Sequence, residues 1–98
     1  MIGIDIISVK RFDNKKESFL KKIFSNRELS ESKNNSQRLA GKWAAKEAAY
    51  KAGFYYINHD IEILTENRRP FIFIKGKKSE AKISISHDDL YATAIVVK

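Results

Sequence analysis

The sixteen residues at the centre of the chain are Arg38-Leu39-Ala40-Gly41-Lys42-Trp43-Ala44-Ala45-Lys46-Glu47-Ala48-Ala49-Tyr50-Lys51-Ala52-Gly53. Alanine is the best helix former and a closing glycine is a typical helix stop, so the stretch predicts a helix about 24 Å long. Residues four apart share one face of a helix, which pairs Lys42 with Lys46 and Glu47 with Lys51.

The pair of Glu47 and Lys51 allows two interpretations. In the first, it is an ordinary helical salt bridge worth a few tenths of a kcal/mol. In the second, Glu47 holds a divalent metal beside a polyphosphate whose charge the lysines neutralise. The second interpretation requires another acidic ligand elsewhere in the chain.

Asp5 is the one charge inside an apolar, β-branched run from Ile2 to Val9 that predicts a strand. A carboxylate there is either a solvent-facing residue of an edge strand or a ligand that faces a site. Magnesium prefers carboxylate oxygens and retains waters and ligand phosphates, so two protein carboxylates are sufficient. Asp5 and Glu47 together supply two.

The length of the sequence predicts one small domain, residues 1–98, because 98 residues cannot fill a second core. A core of this size makes oligomerisation a natural source of stability. Nineteen basic residues against twelve acidic ones give a net charge of +7, which attracts an acidic protein, a phosphorylated ligand or nucleic acid. The absence of cysteine from the sequence excludes disulfides and thiolate metal sites.

The start of the sequence lacks a basic segment followed by a long apolar run, and no stretch approaches about 18 apolar residues. We therefore expect a soluble, cytoplasmic protein with no membrane partner.

The segments before the central helix predict short helices. Glu17 to Phe24 has apolar residues at helical spacing and lysines elsewhere, which indicates an amphipathic basic helix. A second helix is expected to begin with Asn26 as its N-cap, and Asn35 or Ser36 is expected to cap the central helix.

The segments after the central helix predict strands. Asp60 to Leu64, a turn from Asn67 to Pro70, and Phe71 to Ile74 predict a β-hairpin. Lys82 to Ser86 and Tyr91 to Val97 predict two further strands that pair with each other.

Ser86-His87-Asp88-Asp89, between the last two strands, predicts a capped turn with a hydrogen-bonded imidazole. A hydrolase triad is excluded, because adjacent strand residues point to opposite sides and no oxyanion-hole motif accompanies them.

Three spaced segments frame nearly the whole chain: Gly3-Ile4-Asp5-Ile6; Trp43-Ala44-Ala45-Lys46-Glu47-Ala48 with Lys51-Ala52; and Ile83-Ser84-Ile85-Ser86-His87 with Tyr91-Ala92-Thr93-Ala94. Together they resemble the 4′-phosphopantetheinyl transferases of the small holo-acyl-carrier-protein-synthase type. The resemblance implies an α+β fold with an antiparallel sheet flanked by helices, and a homotrimer with active sites between subunits. It also implies transfer of 4′-phosphopantetheine from coenzyme A to a serine of acyl carrier protein, with release of adenosine 3′,5′-bisphosphate.

The resemblance implies the catalytic residues as well. Asp5 and Glu47 hold Mg²⁺, and with Lys51 they form the catalytic set. Lys46 and Lys51 stabilise charge on the phosphates, and the serine proton passes to Glu47 or to a water on the metal. We hypothesise the water.

We expect six residues to contact coenzyme A. The family's glycine-rich phosphate loop is missing from this sequence, so phosphate recognition is assigned to Lys42, Lys46 and Lys51. The resemblance places Pro70 near the adenine, and Ser86 and His87 at the 3′-phosphate end. It assigns docking of the acidic carrier protein to Arg11. The basic face of the Glu17–Phe24 helix suits the same partner.

The chain departs from the family after Gly53, where the family has a glycine-rich loop and this sequence runs from Phe54 to His59 directly into a strand. Arg68 also replaces a glycine of the family at the hairpin turn. One alternative is a degenerate homologue that docks a carrier but transfers poorly. Another is a small basic domain that stacks nucleic-acid bases on aromatic residues. The transferase interpretation expects no nucleic acid as partner.

Overall fold

The computed structural model describes residues 1–56 and 58–98. Within them the element order is β1 (Ile2–Ser8), a 3₁₀ helix (Val9–Phe12), α1 (Glu17–Ile23), α2 (Asn26–Ser32), α3 (Ser36–Lys51), a 3₁₀ helix (Asn58–Asp60), β2 (Ile61–Glu66), β3 (Arg69–Ile74), β4 (Lys77–Lys78), β5 (Lys82–His87) and β6 (Tyr91–Val97). This order, with antiparallel strands, confirms the predicted α+β class. None of the helices in the described residues is long and apolar enough to cross a membrane.

The central helix α3 confirms the prediction and begins two residues before the predicted start. The side chain of Asn35, one of the two predicted caps, accepts a hydrogen bond from the Arg38 backbone N–H at 3.0 Å. The helix ends at Lys51, and Gly53 then adopts a φ of 106°, where a side chain would be strained. Of the predicted Phe54–His59 connection, Ile57 lies outside the described residues.

The first sheet has the strand order β1-β6-β5 and is antiparallel throughout. The pairing of β5 with β6 confirms the predicted strands, and α3 covers one face of the sheet. At the crossing, a Cβ added to Gly3 would lie 1.9 Å from the backbone oxygen of Ala48. Glycine at this position and alanine on the helix therefore allow β1 and α3 to approach closely.

The second sheet has the order β2-β3-β4, and its first two strands form the predicted hairpin. Ile61, Ile63 and Ile72 from this hairpin pack with the alanines of α3 in one buried apolar cluster. The short strand β4 lies within the connector before β5. Both sheets are thus held against the same helix.

The second helix, α2, begins with a capping box. Ser25 Oγ accepts a hydrogen bond from the backbone N–H of Glu28 at 3.2 Å, and Glu28 Oε1 accepts one from the backbone N–H of Ser25 at 2.9 Å. The prediction that Asn26 is the N-cap was wrong, because serine three residues before glutamate sets the cap one residue earlier.

The face of the first sheet that points away from α3 is apolar and uncovered. Ile2, Ile4 and Ile6 are 66, 61 and 65 % exposed, and the cross-strand partners of the first two are Val97 and Ile95, which are also exposed. A contiguous apolar face of this kind marks an interaction surface.

Candidate active site on the central helix

Asp5 lies on the side of β1 that faces α3. Gly3 and Ile7, two residues before and after it on the strand, are buried on this side. Gly3 lies against the Ala48 backbone, whereas Ile7 belongs to the apolar cluster around Leu39. The strand β1 therefore runs antiparallel to α3, and Asp5 lies against the middle turns of the helix.

Lys51 contacts Asp5 across these two elements. Its Nζ lies 3.1 Å from Asp5 Oδ1 and donates to the backbone oxygen of Ile4, also at 3.1 Å. The helical salt bridge with Glu47, the first interpretation of the sequence, is therefore not the pairing that the structure shows for Lys51. About half of the Lys51 side chain is exposed, so a ligand can reach it.

Glu47 lies one turn before Lys51 on the same face of α3. It is half-buried, and it takes part in none of the ion pairs formed by the described residues. Glu47 borders a cavity of about 220 Å³ that is also lined by Trp43, Tyr50 and Tyr56. Its carboxylate is available to a cation.

The carboxylates of Asp5, on β1, and Glu47, on α3, suit one kind of metal. Among the described residues, no group of three or more histidine, cysteine, aspartate or glutamate side chains is arranged to hold an ion. A structural or catalytic zinc site needs at least three such ligands, whereas Mg²⁺ keeps waters and takes further oxygens from phosphates. Asp5 and Glu47 therefore fit Mg²⁺ in the presence of a phosphorylated substrate.

A larger cavity of about 530 Å³ is strongly basic. Its charged lining consists of Lys33, Arg38, Lys42 and Arg68 against the single acid Glu31, and His87 lies beside them. Pro70 also lines it. The structure thus brings together three predicted coenzyme A contacts, Lys42, Pro70 and His87. The cavity's positive charge attracts phosphate groups.

Sequence reasoning missed three basic residues of this cavity. Lys33 ends α2 with a φ of 49°, Arg68 occupies the hairpin turn with a φ of 67°, and Arg38 lies in the first turn of α3. The only sequence signal for them was the excess of positive charge. They converge through tertiary packing, which no local spacing reveals.

Ser86 and His87 face opposite sides of β5, as the sequence argument against a triad predicted. His87 is paired with Ala92, which is buried on the α3 side, whereas Ser86 is paired with Thr93. His87 therefore lines the basic cavity, and Ser86 lies on the sheet face that points away from α3. The contact of Ser86 with coenzyme A stays a prediction.

The turn after His87 is capped by Asp88. Its Oδ1 accepts hydrogen bonds from the backbone N–H groups of Leu90 and Tyr91, both at 2.8 Å. Hydrogen bonds from the backbone, that of Tyr91 first, hold the pKa of Asp88 below its ordinary value. The predicted cap of the turn is confirmed, whereas the described residues show no hydrogen bond to the His87 imidazole.

The ammonium of Lys42 contacts groups of the protein itself. Its Nζ lies 2.7 Å from Glu31 Oε1 and donates to the backbone oxygen of Ile63 at 2.5 Å. Glu31 in turn accepts from the backbone N–H of Thr65, at the free edge of β2. Lys42 thus helps to close that edge while it lines the basic cavity.

Lys46 is more deeply buried. Its Nζ lies 2.8 Å from Glu28 Oε1 and donates to the backbone oxygens of Ile23 and Asn58, both at 2.9 Å. Burial lowers the pKa of Lys46 and raises the pKa of Glu28, and each partner's charge opposes the shift of the other. The predicted phosphate contact of Lys46 stays a prediction, and these contacts indicate a different role.

Arg11 is exposed in the 3₁₀ helix that follows β1. The neighbouring α1 buries Leu20 and exposes its lysines, as expected of the amphipathic basic helix. Its exposed surface is positively charged, as the docking prediction requires.

The two candidate regions project from different sides of α3. Arg38, in the basic cavity, and Glu47 are nine residues apart, about two and a half turns, so they point in opposite directions. Within one chain, the helix therefore separates the basic cavity from Asp5 and Glu47.

Comparison with known proteins identifies relatives over nearly the whole chain. A family model described as the 4′-phosphopantetheinyl transferase superfamily matches residues 1–96. A holo-[acyl-carrier-protein] synthase of Caldicellulosiruptor saccharolyticus is 40 % identical over 114 residues, which cover 98 % of this chain and 93 % of the relative. A holo-[acyl-carrier-protein] synthase of Geobacillus is 36 % identical over 110 residues, which cover 98 % of this chain and 92 % of the relative.

Solved structures show the same similarity. The Helicobacter pylori holo-[acyl-carrier-protein] synthase in complex with coenzyme A has a TM-score of 0.85 at 34 % identity, with 99 % of this chain and 98 % of that chain covered. The Bacillus anthracis enzyme in complex with coenzyme A (3′,5′-ADP) has a TM-score of 0.76 at 31 % identity, with 97 % and 91 % covered.

Proposed function

This chain belongs to the 4′-phosphopantetheinyl transferase superfamily, and we propose that it acts as a holo-[acyl-carrier-protein] synthase. It transfers the 4′-phosphopantetheine arm of coenzyme A to a serine of apo-acyl carrier protein and releases adenosine 3′,5′-bisphosphate. The observation that carries the proposed site is the contact of Asp5 with Lys51, beside the helical turn that bears Glu47.

In the reaction, the serine oxygen bonds to the phosphorus next to pantetheine, and the bond from that phosphorus to the departing phosphate breaks. Negative charge grows on the phosphate that leaves, and the ammonium of Lys51 stabilises it. Glu47 is available to take the serine proton, directly or through a water.

The same carboxylates, Asp5 and Glu47, would hold Mg²⁺, which would supply positive charge to the phosphoryl oxygens of the substrate. Lys51 holds one oxygen of the Asp5 carboxylate at 3.1 Å and so fixes the orientation of this carboxylate before substrate arrives.

The basic cavity takes the adenosine end of coenzyme A. Lys42 and His87 lie there with Pro70, and the additional charges of Arg38 and Lys33 favour the 3′-phosphate. Its volume of about 530 Å³ is within the usual range for small-molecule sites, about 300–1,000 Å³.

The working form is a homotrimer with active sites between subunits. Two observations support this proposal. The apolar face of Ile2, Ile4 and Ile6 is uncovered in the single chain. The basic cavity and the Asp5–Glu47 region also lie on different sides of α3, so a second chain can complete a site that binds both ends of coenzyme A.

Replacement of Ile4 by lysine tests the trimer. A charge in the middle of a buried apolar interface has to be desolvated without a partner, so Ile4→Lys should give a monomer in sedimentation analysis. Lys77→Glu, at an exposed site of β4 in the second sheet, is a control for altered charge outside this face. A wild-type monomer that transfers at full rate would contradict the proposed assembly.

Arg11 and the basic surface of α1 dock the acidic carrier protein. Charge attraction of this kind raises the association rate and weakens with salt. Arg11→Glu should therefore raise the KM for the carrier and leave the Kd for coenzyme A unchanged. An unchanged carrier KM would contradict the assignment of Arg11.

The experiment that tests the function is intact-mass analysis of apo-acyl carrier protein after incubation with this protein, coenzyme A and Mg²⁺. We expect the mass of the carrier to rise by one phosphopantetheine arm, and a chelator to prevent the rise. Folded protein that binds carriers but yields no product would instead favour a carrier-binding homologue without transferase activity.

A further inference from the structure

The ammonium of Lys46 uses all three of its hydrogen-bond donors inside the protein. It contacts Glu28 Oε1 at 2.8 Å and the backbone oxygens of Ile23 and Asn58 at 2.9 Å. Only 4 % of its side chain is exposed. A lysine ammonium has three donors, so none remains for a phosphate.

Glu28 is equally well satisfied. Its Oε1 accepts from the Ser25 backbone N–H at 2.9 Å and from Lys46, and its Oε2 accepts from the Ile63 backbone N–H at 2.8 Å. No part of its side chain is exposed. If Lys46 turned towards a ligand, a fully buried carboxylate would lose its counter-ion, which costs several kcal/mol.

The three groups that Lys46 binds belong to three different elements. Ile23 is the last residue of α1, Glu28 lies in α2, and Asn58 begins the 3₁₀ helix before β2. A second contact joins two of these elements, because His59 Nε2 lies 2.7 Å from the backbone oxygen of Lys21. The next residue after Lys46 is Glu47. One side chain therefore connects α1, α2 and the 58–60 segment to the turn of α3 that bears the catalytic carboxylate.

We propose that Lys46 is a positioning residue that sets where α1, the carrier-docking helix, lies relative to Glu47, and that it binds no phosphate of coenzyme A. This inference rests on the proposed function, since it presupposes a carrier on α1 and a reacting phosphate at Glu47.

The expected consequence is specific to the carrier. The serine hydroxyl must reach the phosphorus in line, and a displacement of about 1 Å in such a geometry can cost about 100-fold in rate. Loss of the Lys46 contacts lets α1 shift on α3, which moves the docked carrier. The basic cavity is bounded by α2, α3 and the two sheets, and α2 remains attached to β2 through Arg27–Glu62 and through Glu31, which accepts from the Thr65 backbone N–H. Binding of coenzyme A should therefore be retained.

Two variants separate positioning from phosphate binding. Lys46→Met removes the ammonium. Glu28→Gln keeps the ammonium of Lys46 and removes its counter-ion, the Glu28 carboxylate. The positioning role predicts that both variants lower kcat and raise the KM for the carrier, with about a 10-fold or larger loss of kcat/KM and an unchanged Kd for coenzyme A. A phosphate-binding role predicts a weaker Kd for coenzyme A in Lys46→Met and a normal or tighter Kd in Glu28→Gln, and that result would overturn the inference.

Two further variants are controls for effects of the substitutions on folding. Lys46→Met/Glu28→Gln removes both charges together, which avoids an unpaired buried ion. It should melt at a higher temperature than either single variant and still show the raised carrier KM, whereas wild-type kinetics in it would overturn the inference. His59→Ala breaks the exposed second contact and should raise the carrier KM without loss of stability.

Lys78→Met is the matched control for loss of a lysine, because Lys78 forms an exposed pair with Glu66 at 2.7 Å. It should leave all constants unchanged. If the wild-type protein yields no product, the proposed function fails. If the wild type transfers and the Lys46, Glu28 and His59 variants retain its carrier kinetics, only the positioning role fails.

Discussion

Lys46 and Lys51 are two lysines of the same helix, five residues apart, with opposite environments. The side chain of Lys46 is 4 % exposed and joins three elements of the fold, whereas that of Lys51 is 54 % exposed and contacts Asp5 on one strand. The ammonium of Lys46 binds groups inside the protein, whereas the ammonium of Lys51 remains accessible to a substrate. A lysine in a helical motif therefore acquires its role from the elements that its face of the helix meets.

The difference has an energetic cause. A buried ion pair is strongly destabilised when one partner is removed, because the remaining charge is left without solvent or counter-ion. An exposed pair is compensated by water and contributes little. Changes on the Lys46 side of α3 should therefore act mainly on stability, and changes on the Lys51 side mainly on activity.

The largest expected effect is on the Lys46 side. Lys46→Met should lower the free energy of unfolding by about 3–5 kcal/mol, because it leaves Glu28 buried and unpaired. In a domain of this size, that corresponds to a fall in Tm of at least about 12 °C. Lys51→Met is the matched control and should change the stability by less than about 1 kcal/mol. Equal losses of Tm in the two variants would show that burial does not distinguish these two lysines.

Glu47→Gln should have the largest effect on activity. Removal of one negative charge weakens the metal site, and we expect about a 100-fold loss of kcat/KM for transfer. The Tm should stay close to that of the wild type, since Glu47 forms none of the ion pairs of the described residues. Glu66→Gln, at an exposed site of the hairpin, controls for loss of a glutamate. Normal turnover in Glu47→Gln would remove Glu47 from the catalytic set.

Lys51→Met should reduce transfer by a smaller factor, about 10-fold or more, because one of several stabilising charges is lost from the leaving phosphate. The effect should be on kcat more than on the KM for coenzyme A, since this charge develops in the transition state. A change confined to the KM would show instead that Lys51 binds the substrate before reaction.

A second carboxylate near Lys46 gives a pH test. Hydrogen bonding by Arg27, at 2.6 and 3.2 Å, is the main cause that lowers the pKa of Glu62 from its ordinary value of 4.5. The pair of Arg27 and Glu62 therefore contributes its full stabilisation above pH 4.5. This stabilisation is lost as the pH falls through the lower pKa that Glu62 has in the folded protein. Glu62→Gln should flatten the acid side of a plot of unfolding free energy against pH, and an unaltered slope would contradict this origin.

The smallest effect is expected at the exposed pair on α1. Glu17 and Lys21 lie four residues apart, with Nζ 3.3 Å from Oε1. Glu17→Gln should cost about 0.2–0.5 kcal/mol, and the difference should disappear in high salt. A cost comparable to that of Lys46→Met would show that burial is not what distinguishes these ion pairs.

Local sequence was enough to predict the helices and strands and to identify the motif that carries the proposed catalytic residues. Alanine content and the glycine stop specify α3, β-branched residues specify β1, and the turn residues specify the hairpin of β2 and β3. These depend on interactions between residues close in the chain. The sequence also indicated Asp5 and Glu47 as a pair of carboxylates, and the structure brings Asp5 into contact with Lys51, one turn after Glu47 on α3.

Which partner each charge meets depends on how the elements pack together. The tertiary structure joined Lys51 to Asp5, buried Lys46 against Glu28, and gathered Lys33, Arg38 and Arg68 with His87 around one cavity. It also left the isoleucine face of β1 uncovered. These outcomes follow from contacts between residues far apart in the chain, which helix and strand propensities do not encode. Burial and hydrogen-bond satisfaction, which exist only after the elements pack, then separate the lysines of the fold from those of the site.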